Sequence, residues 1–330
     1  MFRLQNHWYR VSRLHLILYP VSLVFRALVA LRRELYLSSF LPSHPLLLPV
    51  IVIGNISVGG TGKTPLTLAL AQQLIERGWH PLIISRGYGR SVSRPQAASP
   101  TSSAAQVGDE PLLMARRNIC PVWVGADRVA TAHAALKACP QCDIVLCDDG
   151  LQHYRLQRDV EIAVIDGMRR FGNGYMFPAG PLREPVSRLQ TVDAIVVNGG
   201  KAAADEYAMS LGGEIFYNLL DPLHTATAAD FKRPNIHAAA GIGNPQRYFQ
   251  HLETLGIAFT PHEFPDHHAY RAADLSFAEC DAILLTEKDA VKCGEFADAR
   301  YWVLRVDARI DPALTDHLLR KLDPHGHQTA

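Results

Sequence analysis

The densest chemistry in the chain lies between Ile51 and Thr64, which read IVIGNISVGGTGKT. An apolar run breaks into a glycine-rich turn ending in Gly62-Lys63-Thr64. Successive glycines let backbone N–H groups converge on an anion, Lys63 can reach β- and γ-phosphates, and the Thr64 hydroxyl can ligate Mg²⁺. A helix starting here adds the positive end of its dipole. The ligand implied is a nucleoside triphosphate. The usual G-x-x-x-x-G-K-[ST] pattern wants glycine where this chain has Ser57, so an ordinary strand-to-helix turn is the competing reading. The order of strand, loop and helix, with Leu66, Leu70 and Leu74 as one helical stripe, favours the phosphate loop.

Three other groups could act on a bound nucleotide. Asp148 and Asp149 close the apolar run Ile144–Cys147, and ligands of open α/β sheets sit beyond such strand ends. A carboxylate there can hold Mg²⁺ or orient its water opposite the Thr64 hydroxyl; the alternative is an Asp-rich turn. Asp109, in Gly108-Asp109-Glu110-Pro111, reads first as a helix N-cap with Pro111 in the first turn. Its other reading is a base for an attacking hydroxyl. His267, in Phe264-Pro265-Asp266-His267-His268, could bind metal, orient a base or cap a turn.

The elements that must carry these residues follow from pattern. Val50–Ile53 reads as the first core strand, with helix to about Arg77 and a second strand at Leu82–Ser85. Arg90–Val107 is rich in Ser, Ala, Pro and Gln and reads as a loop or weak hairpin. Val122–Val124, Ile144–Cys147, Ile162–Ile165 and Ile195–Val197 read as buried parallel strands, with a helix at Arg128–Ala138. The expected class is α/β, a doubly wound parallel sheet of P-loop NTPase type. A connecting hairpin is expected over 213–235. A smaller α/β domain follows over 236–330, with strands at His237–Ala240, Ile257–Phe264, Ile283–Leu285 and Tyr301–Val306 and a helix from Pro245. The kinase-like core then spans 47–212 and an arm spans 1–46.

Leu14–Leu31 is mostly apolar but holds His15, Pro20 and Arg26. Over that stretch a helix reaches about 27 Å, short of a bilayer core of roughly 30 Å. An arginine near its middle costs on the order of 2.5–3.5 kcal/mol on insertion scales. Ser22, Arg26 and Arg33 share one helical face, with Val24, Leu28, Leu31 and Leu35 opposite. That pattern, with Trp8, Tyr9, Tyr19 and Tyr36, suits the boundary of an anionic leaflet, monotopic or shallowly inserted. Packing of the helix on the protein's own core is the alternative.

At 330 residues two domains are expected, and a net charge of +1 gives no signature of nucleic-acid binding. Six cysteines show no disulfide spacing, and the lone Cys139-Pro140-Gln141-Cys142 lacks a second pair.

Taken together, the chain resembles the tetraacyldisaccharide 4′-kinases, the lipid A 4′-kinases of Gram-negative bacteria. The resemblance rests on Gly54–Thr64, Ser85-Arg86-Gly87-Tyr88-Gly89, Gly108–Pro111 and Asp148-Asp149-Gly150-Leu151-Gln152-His153. It continues through Pro181-Leu182-Arg183-Glu184-Pro185, Phe264–His268 and Thr286–Lys292. In that family Ser57 is usual, which implies a nucleotide site formed by Asn55, Ser57, Val58, Gly59, Gly60, Thr61, Gly62, Lys63 and Thr64.

The resemblance implies transfer of the ATP γ-phosphoryl group to the 4′-hydroxyl of a tetraacyl glucosamine disaccharide 1-phosphate. The work is done at the cytoplasmic face of the inner membrane. Asp109 is then the base, assisted by His267, with Lys63 and Arg183 stabilising phosphoryl charge. Thr64 would hold Mg²⁺, with Asp148, Asp149 and Glu184 as candidate direct or water-mediated ligands, and Gln152 and His153 line the cleft. The partner implied is a membrane lipid, with no obligatory protein partner. A membrane-recruited P-loop ATPase switch, hydrolysing ATP without a lipid acceptor, is the rival; a GTPase is disfavoured because Thr286–Asp289 lacks Asn-Lys-x-Asp spacing.

Overall fold

All five residues of β1 (Val50–Gly54) are buried, as expected of a strand covered on both faces. It is the central strand of a nine-stranded sheet in the computed structural model, which describes residues 7–9, 13–90 and 93–322. Parts of three expected segments lie outside the described residues: 1–6 and 10–12 of the arm, 91–92 of the loop, and 323–330 of the C-terminal domain.

The other strands of this sheet are β2 (Pro81–Ser85), β3 (Gln96–Ala98), β4 (Val122–Val124), β5 (Ile144–Asp148), β6 (Val160–Asp166), β7 (Ala194–Asn198) and β8 (Tyr207–Gly212). A second sheet of six holds β9 (Phe216–Asn218), β10 (Thr225–Ala226), β11 (Ile236–Ala240), β12 (Thr260–Glu263), β13 (Ala282–Thr286) and β14 (Tyr301–Leu304). The last strand, β15 (Asp307–Ile310), returns to the first sheet. The helices are α1 (Arg13–Leu37), α2 (Lys63–Glu76), α3 (Ala104–Val107), α4 (Asp109–Arg117), α5 (Arg128–Ala138), α6 (Pro245–Thr254), α7 (Glu287–Ala290) and α8 (Pro312–Leu322).

The first sheet runs β15-β8-β7-β6-β1-β5-β2-β4-β3. Its seven inner strands are parallel, and β3 and β15 close the edges antiparallel. Period-two alternation splits β1 between two cores. Ile51 and Ile53 meet Leu66, Leu70 and Leu74 of α2, Met114 of α4 and Leu314 and Leu318 of α8. Val50 and Val52 meet Val129, Ala132 and Ala135 of α5. The leucine stripe of α2 is fully buried, each side chain contributing roughly 1.5–3 kcal/mol.

Two expected boundaries are corrected. β9 and β10 pair antiparallel within the segment read as a connecting hairpin, but β9 also pairs with β14, so 213–235 belongs to the second sheet rather than linking to it. β15 pairs with β8, and α8 packs on α2, so the second unit does not run to the C-terminus. β15 alternates outward Asp307 and Arg309 with inward residues over only four positions, too short and polar to stand out. Arg90–Val107 is more ordered than expected. β3 adds to the sheet edge, and Ser103 and Gln106 form a capping box that starts α3.

α1 is longer than the apolar run, at 25 residues, and is apolar enough to cross a membrane by length and composition. Phe25 and Val29 pack on the rest of the protein, and the most buried residues of the helix are polar. The buried residues are the polar His15 and Ser22, while Val24, Leu28 and Leu31 are well exposed. The Ser22 hydroxyl donates to the Met176 carbonyl at 2.9 Å and accepts from the Ala179 N–H at 2.9 Å. His15 stacks on Tyr175, Phe25 packs edge-on to Phe177, and Arg33 donates to Thr191.

Candidate active site

The phosphate loop leaves the C-terminal end of β1 and enters α2, as its sequence requires. Gly62 takes φ 97° immediately before the helix, a left-handed turn. A Cβ there would lie 2.3 Å from the Asn198 amide nitrogen, which donates to the Thr61 carbonyl at 2.9 Å. Val58 to Thr64 line a cleft of about 1550 Å³. Asn55 and Ser57 do not. Asn55 is fully buried and donates to the Thr61 hydroxyl at 3.3 Å, bracing the loop from inside.

The Pro181–Glu184 block folds directly onto this loop. The Val58 N–H donates to the Pro181 carbonyl at 2.8 Å, and the Arg183 N–H to the Ile56 carbonyl at 2.7 Å. Ser57 and Leu182 form a one-residue bridge between the two segments.

β1 and β5 are neighbours, which brings the paired aspartates to Lys63. Lys63 Nζ lies 3.3 Å from Asp149 Oδ1, and Arg183 Nη1 lies 3.5 Å from the same oxygen. These are ion pairs without aligned hydrogen bonds, leaving that buried oxygen unbonded. Burial alone would raise the Asp149 carboxyl; Lys63 and Arg183 outweigh it and hold it at about 2. Asp148 is wholly buried, accepting from Thr67 at 3.3 Å and Ser85 at 3.4 Å. Burial, then Glu110 and Asp149, push its carboxyl up to about 7. The unbonded Asp149 oxygen and the Thr64 hydroxyl line the same cleft and are oxygen donors that suit Mg²⁺. Asp148 lies behind them, outside the cleft lining, with its two oxygens accepting from Thr67 and Ser85.

Glu184 is differently engaged. It is 1% exposed and accepts from Gln152 at 2.6 Å and from the Tyr154 hydroxyl at 2.6 Å, with Arg188 at 3.3 Å. Both its oxygens have protein partners, yet Glu184 lines the cleft beside Gln152, which also donates to the Asn55 carbonyl. His153 does not line the cleft as expected. Its Nε2 turns to the Arg128 N–H at 3.4 Å, and burial with Arg128 and Arg158 lowers it to about 4.

Asp109 is not the helix cap; Gly108 occupies that position, and Asp109 is the first residue of α4. Its Oδ2 lies 3.2 Å from Nδ1 of His267, which comes from the second unit. His267 holds a left-handed backbone at φ 60°, with its N–H on the Gly241 carbonyl at 3.2 Å. That costs a β-carbon residue energy and is tolerated where surrounding contacts over-determine it. His267 lines the cleft, beneath the ring of Tyr88 at 5.2 Å. Asp109 sits behind it, its side chain 14% exposed.

Several residues at the site had no assigned role in the sequence. Arg169 donates to the Gly60 and Gly243 carbonyls at 2.9 and 3.0 Å, stapling the phosphate loop to the second unit. A Cβ on Gly243 would lie 2.5 Å from the Gly60 nitrogen. Asn198 accepts from Arg247 at 2.7 Å. A polar residue ending a buried strand, as in Val196-Val197-Asn198, was the available signal. The cleft also reaches the arm, where Trp8, Tyr9, Phe25, Val29 and Arg32 form part of its wall.

The sequence profile described as Tetraacyldisaccharide-1-P 4'-kinase matches residues 14–323. The chain is 48% identical over 319 residues to the tetraacyldisaccharide 4'-kinase of Methylobacillus flagellatus, covering 97% of this chain and 95% of that one. It is 48% identical over 337 residues to the protein of the same name from Dechloromonas aromatica, covering 99% and 98%. The crystal structure of the "apo" form of LpxK from Aquifex aeolicus in complex with ATP superposes with a TM-score of 0.77. That chain is 27% identical, with 94% of this chain and 99% of the other covered.

Proposed function

The chain belongs to the tetraacyldisaccharide-1-P 4'-kinase family, and from that premise we propose that its cleft transfers the γ-phosphoryl group of ATP to the 4′-hydroxyl of a tetraacyl glucosamine disaccharide 1-phosphate. The observation that carries this reading is the continuity of one cleft. It runs from apolar residues of the arm, past the phosphate loop, to the His267 that holds Asp109. A nucleotide switch needs no such wall of aromatic and aliphatic side chains.

Phosphoryl transfer is mostly positioning and charge neutralisation. Lys63 and Arg183, both beside Asp149, are where charge builds on the transferred group. Thr64 and Asp149, which line the cleft, would hold Mg²⁺, with Asp148 and Glu184 as direct or water-mediated ligands. When bound, the ion would supply neutralisation of phosphate charge. Asp109 takes the proton of the 4′-hydroxyl, and His267 fixes the carboxylate through Oδ2.

The arm delivers this cleft to lipid. With Ser22 bonded to the Met176–Ala179 loop, α1 exposes Val24, Leu28 and Leu31 together with Arg26 and Arg32, which supports a helix lying in the anionic cytoplasmic surface of the inner membrane rather than crossing it. Val24→Asp with Leu28→Asp removes two exposed anchors of roughly 1.5–3 kcal/mol each, so flotation with anionic vesicles should fall by 10²-fold or about that. Full retention would move the contact elsewhere.

The reaction itself is tested by giving the purified protein γ-labelled ATP, Mg²⁺ and the disaccharide lipid in detergent micelles. Label on the lipid is expected. Label released only as free phosphate would replace the kinase with the ATPase switch.

A further inference from the structure

Behind His267 lies a lysine that the reaction as described does not use. Lys288, the second residue of α7, places its Nζ 3.0 Å from Glu110 Oε1, 3.1 Å from Asp266 Oδ1 and 3.3 Å from His267 Nε2. An ammonium has three N–H donors and no acceptor, and here each donor has one partner. Burial works against the charge, but Glu110 and Asp266 outweigh it and hold Lys288 protonated well above neutral pH.

We infer that Lys288 is a positioning residue that fixes the tautomer of His267, keeping the proton on Nδ1 facing Asp109. The inference rests on the Asp109–His267 reading above. Because the ammonium can only donate, Nε2 must present its lone pair. The one proton of the neutral ring is then on Nδ1, 3.2 Å from Asp109 Oδ2. Asp109 therefore receives a hydrogen bond on Oδ2 and keeps Oδ1 to accept the proton of a hydroxyl.

The opposite tautomer would set an N–H against the ammonium and a bare nitrogen against a carboxylate. Both contacts are repulsive. The other charged or titratable groups facing the ring do not reverse this balance. Asp266 Oδ1 is 3.9 Å from Nε2, outside hydrogen-bond reach, with Lys288 bonded to both. Lys292 lies 3.9 Å from Asp109 Oδ2 and is committed to Asp289 at 3.0 Å. Glu110 is taken by Lys288, and Tyr88 meets the ring with its own ring.

One of the three contacts, Lys288 to Glu110, crosses between the two units. Glu110 belongs to α4, one residue beyond the base, whereas Asp266, His267 and Lys288 belong to the second unit. One ammonium thus sets both the spacing of the dyad and the direction of its hydrogen bond.

Protein labelled with ¹⁵N-histidine, read by long-range ¹H–¹⁵N correlation at neutral pH, tests this directly. His267 is assigned by the signals lost in His267→Gln. The wild-type ring is expected as the Nδ1–H tautomer with Nε2 bare. In Lys288→Met the Nε2–H form should appear, and kcat should fall roughly 10-fold or more, the scale of an outer partner that orients an imidazole. The KM for ATP should hold, and Lys288→Arg should restore the Nδ1–H form.

A wild-type ring protonated on Nε2, or a Lys288→Met ring still wholly Nδ1–H, would overturn the inference. If Lys288→Met does not fold, the wild-type spectrum alone decides. Failure of the dyad is separately visible: Asp109→Asn with full turnover removes the base, whichever tautomer is found. An Nε2–H ring with inactive Asp109→Asn removes only the role of Lys288.

Discussion

The two halves of the cleft are built in opposite ways. On the nucleotide side, Gly54–Thr64 and Asp148–Asp149 lie at the ends of adjacent strands, and backbone hydrogen bonds sew Pro181–Glu184 to the loop. On the acceptor side, Asp109 and His267 are 158 positions apart and meet only through side chains, across the joint between two sheets. The named residues of the first half all come from the first sheet and its loops, with Arg169 tying the phosphate loop to Gly243 of the second unit. The second exists only while α4 and the Phe264–His268 loop stay in register. Binding of ATP and transfer of its phosphoryl group should therefore separate under mutation.

The sharpest way to break this comparison is Asp109→Asn. Transfer to lipid should fall by about 10²–10⁴, the usual worth of a general base, measured as single-turnover label transfer. Lys63→Met strikes the other half. It should lower kcat/KM by roughly 10²–10³ and weaken ATP as well, since charge stabilisation is lost in both ground and transition states. A Lys63→Met enzyme with unchanged ATP affinity would blur the division.

The joint itself is tested at the far end of α4. Arg117 donates to Glu287 at 2.8 Å, to Asp307 at 2.8 Å and to the Val306 carbonyl at 2.7 Å, with its own side chain and that of Glu287 each 10% exposed. Arg117→Ala leaves Glu287 buried beside no cation and should cost on the order of 3 kcal/mol in urea unfolding. Loss of stability without loss of transfer would show that the joint need not be tight.

The smallest effect expected belongs to His153, which turns away from the cleft to the start of α5. Its imidazole is lowered from 6.5 to about 4 in the folded protein. As pH falls, the unfolded chain takes up that proton first, so stability is lost between pH 6.5 and about 4. Discounted for partial exposure, the loss is on the order of 2 kcal/mol. His153→Gln should flatten that part of the urea-midpoint profile; an unchanged profile would assign the acid sensitivity to other groups.

The same contrast explains what was legible in the sequence. β1, β5 and the stripe Leu66, Leu70 and Leu74 were readable because burial on two faces, or on one helical face, writes a periodic apolar pattern. The phosphate loop was readable because its glycines and Lys63 are contiguous. Asp109 was read first as a cap because a helix start looks alike whether the carboxylate faces its own backbone or a histidine from elsewhere. Glu184 and His153 were placed from motif order, which carries no direction: the first does line the cleft while bonding Gln152 and Tyr154, whereas the second turns to Arg128. β15 was missed because four residues with alternating charge make no pattern until β8 is beside them. The arm was read correctly as amphipathic, yet which face would be buried depended on Met176 and Ala179, far downstream.

One titration tests the division of labour most directly: Mg²⁺–ATP binding to the Asp109→Asn/His267→Gln double variant, by calorimetry, beside the wild type. An unchanged Kd in a protein that no longer phosphorylates lipid is the expected result. A double variant that fails to bind ATP would contradict the account, because the nucleotide half would then depend on the half that activates the acceptor.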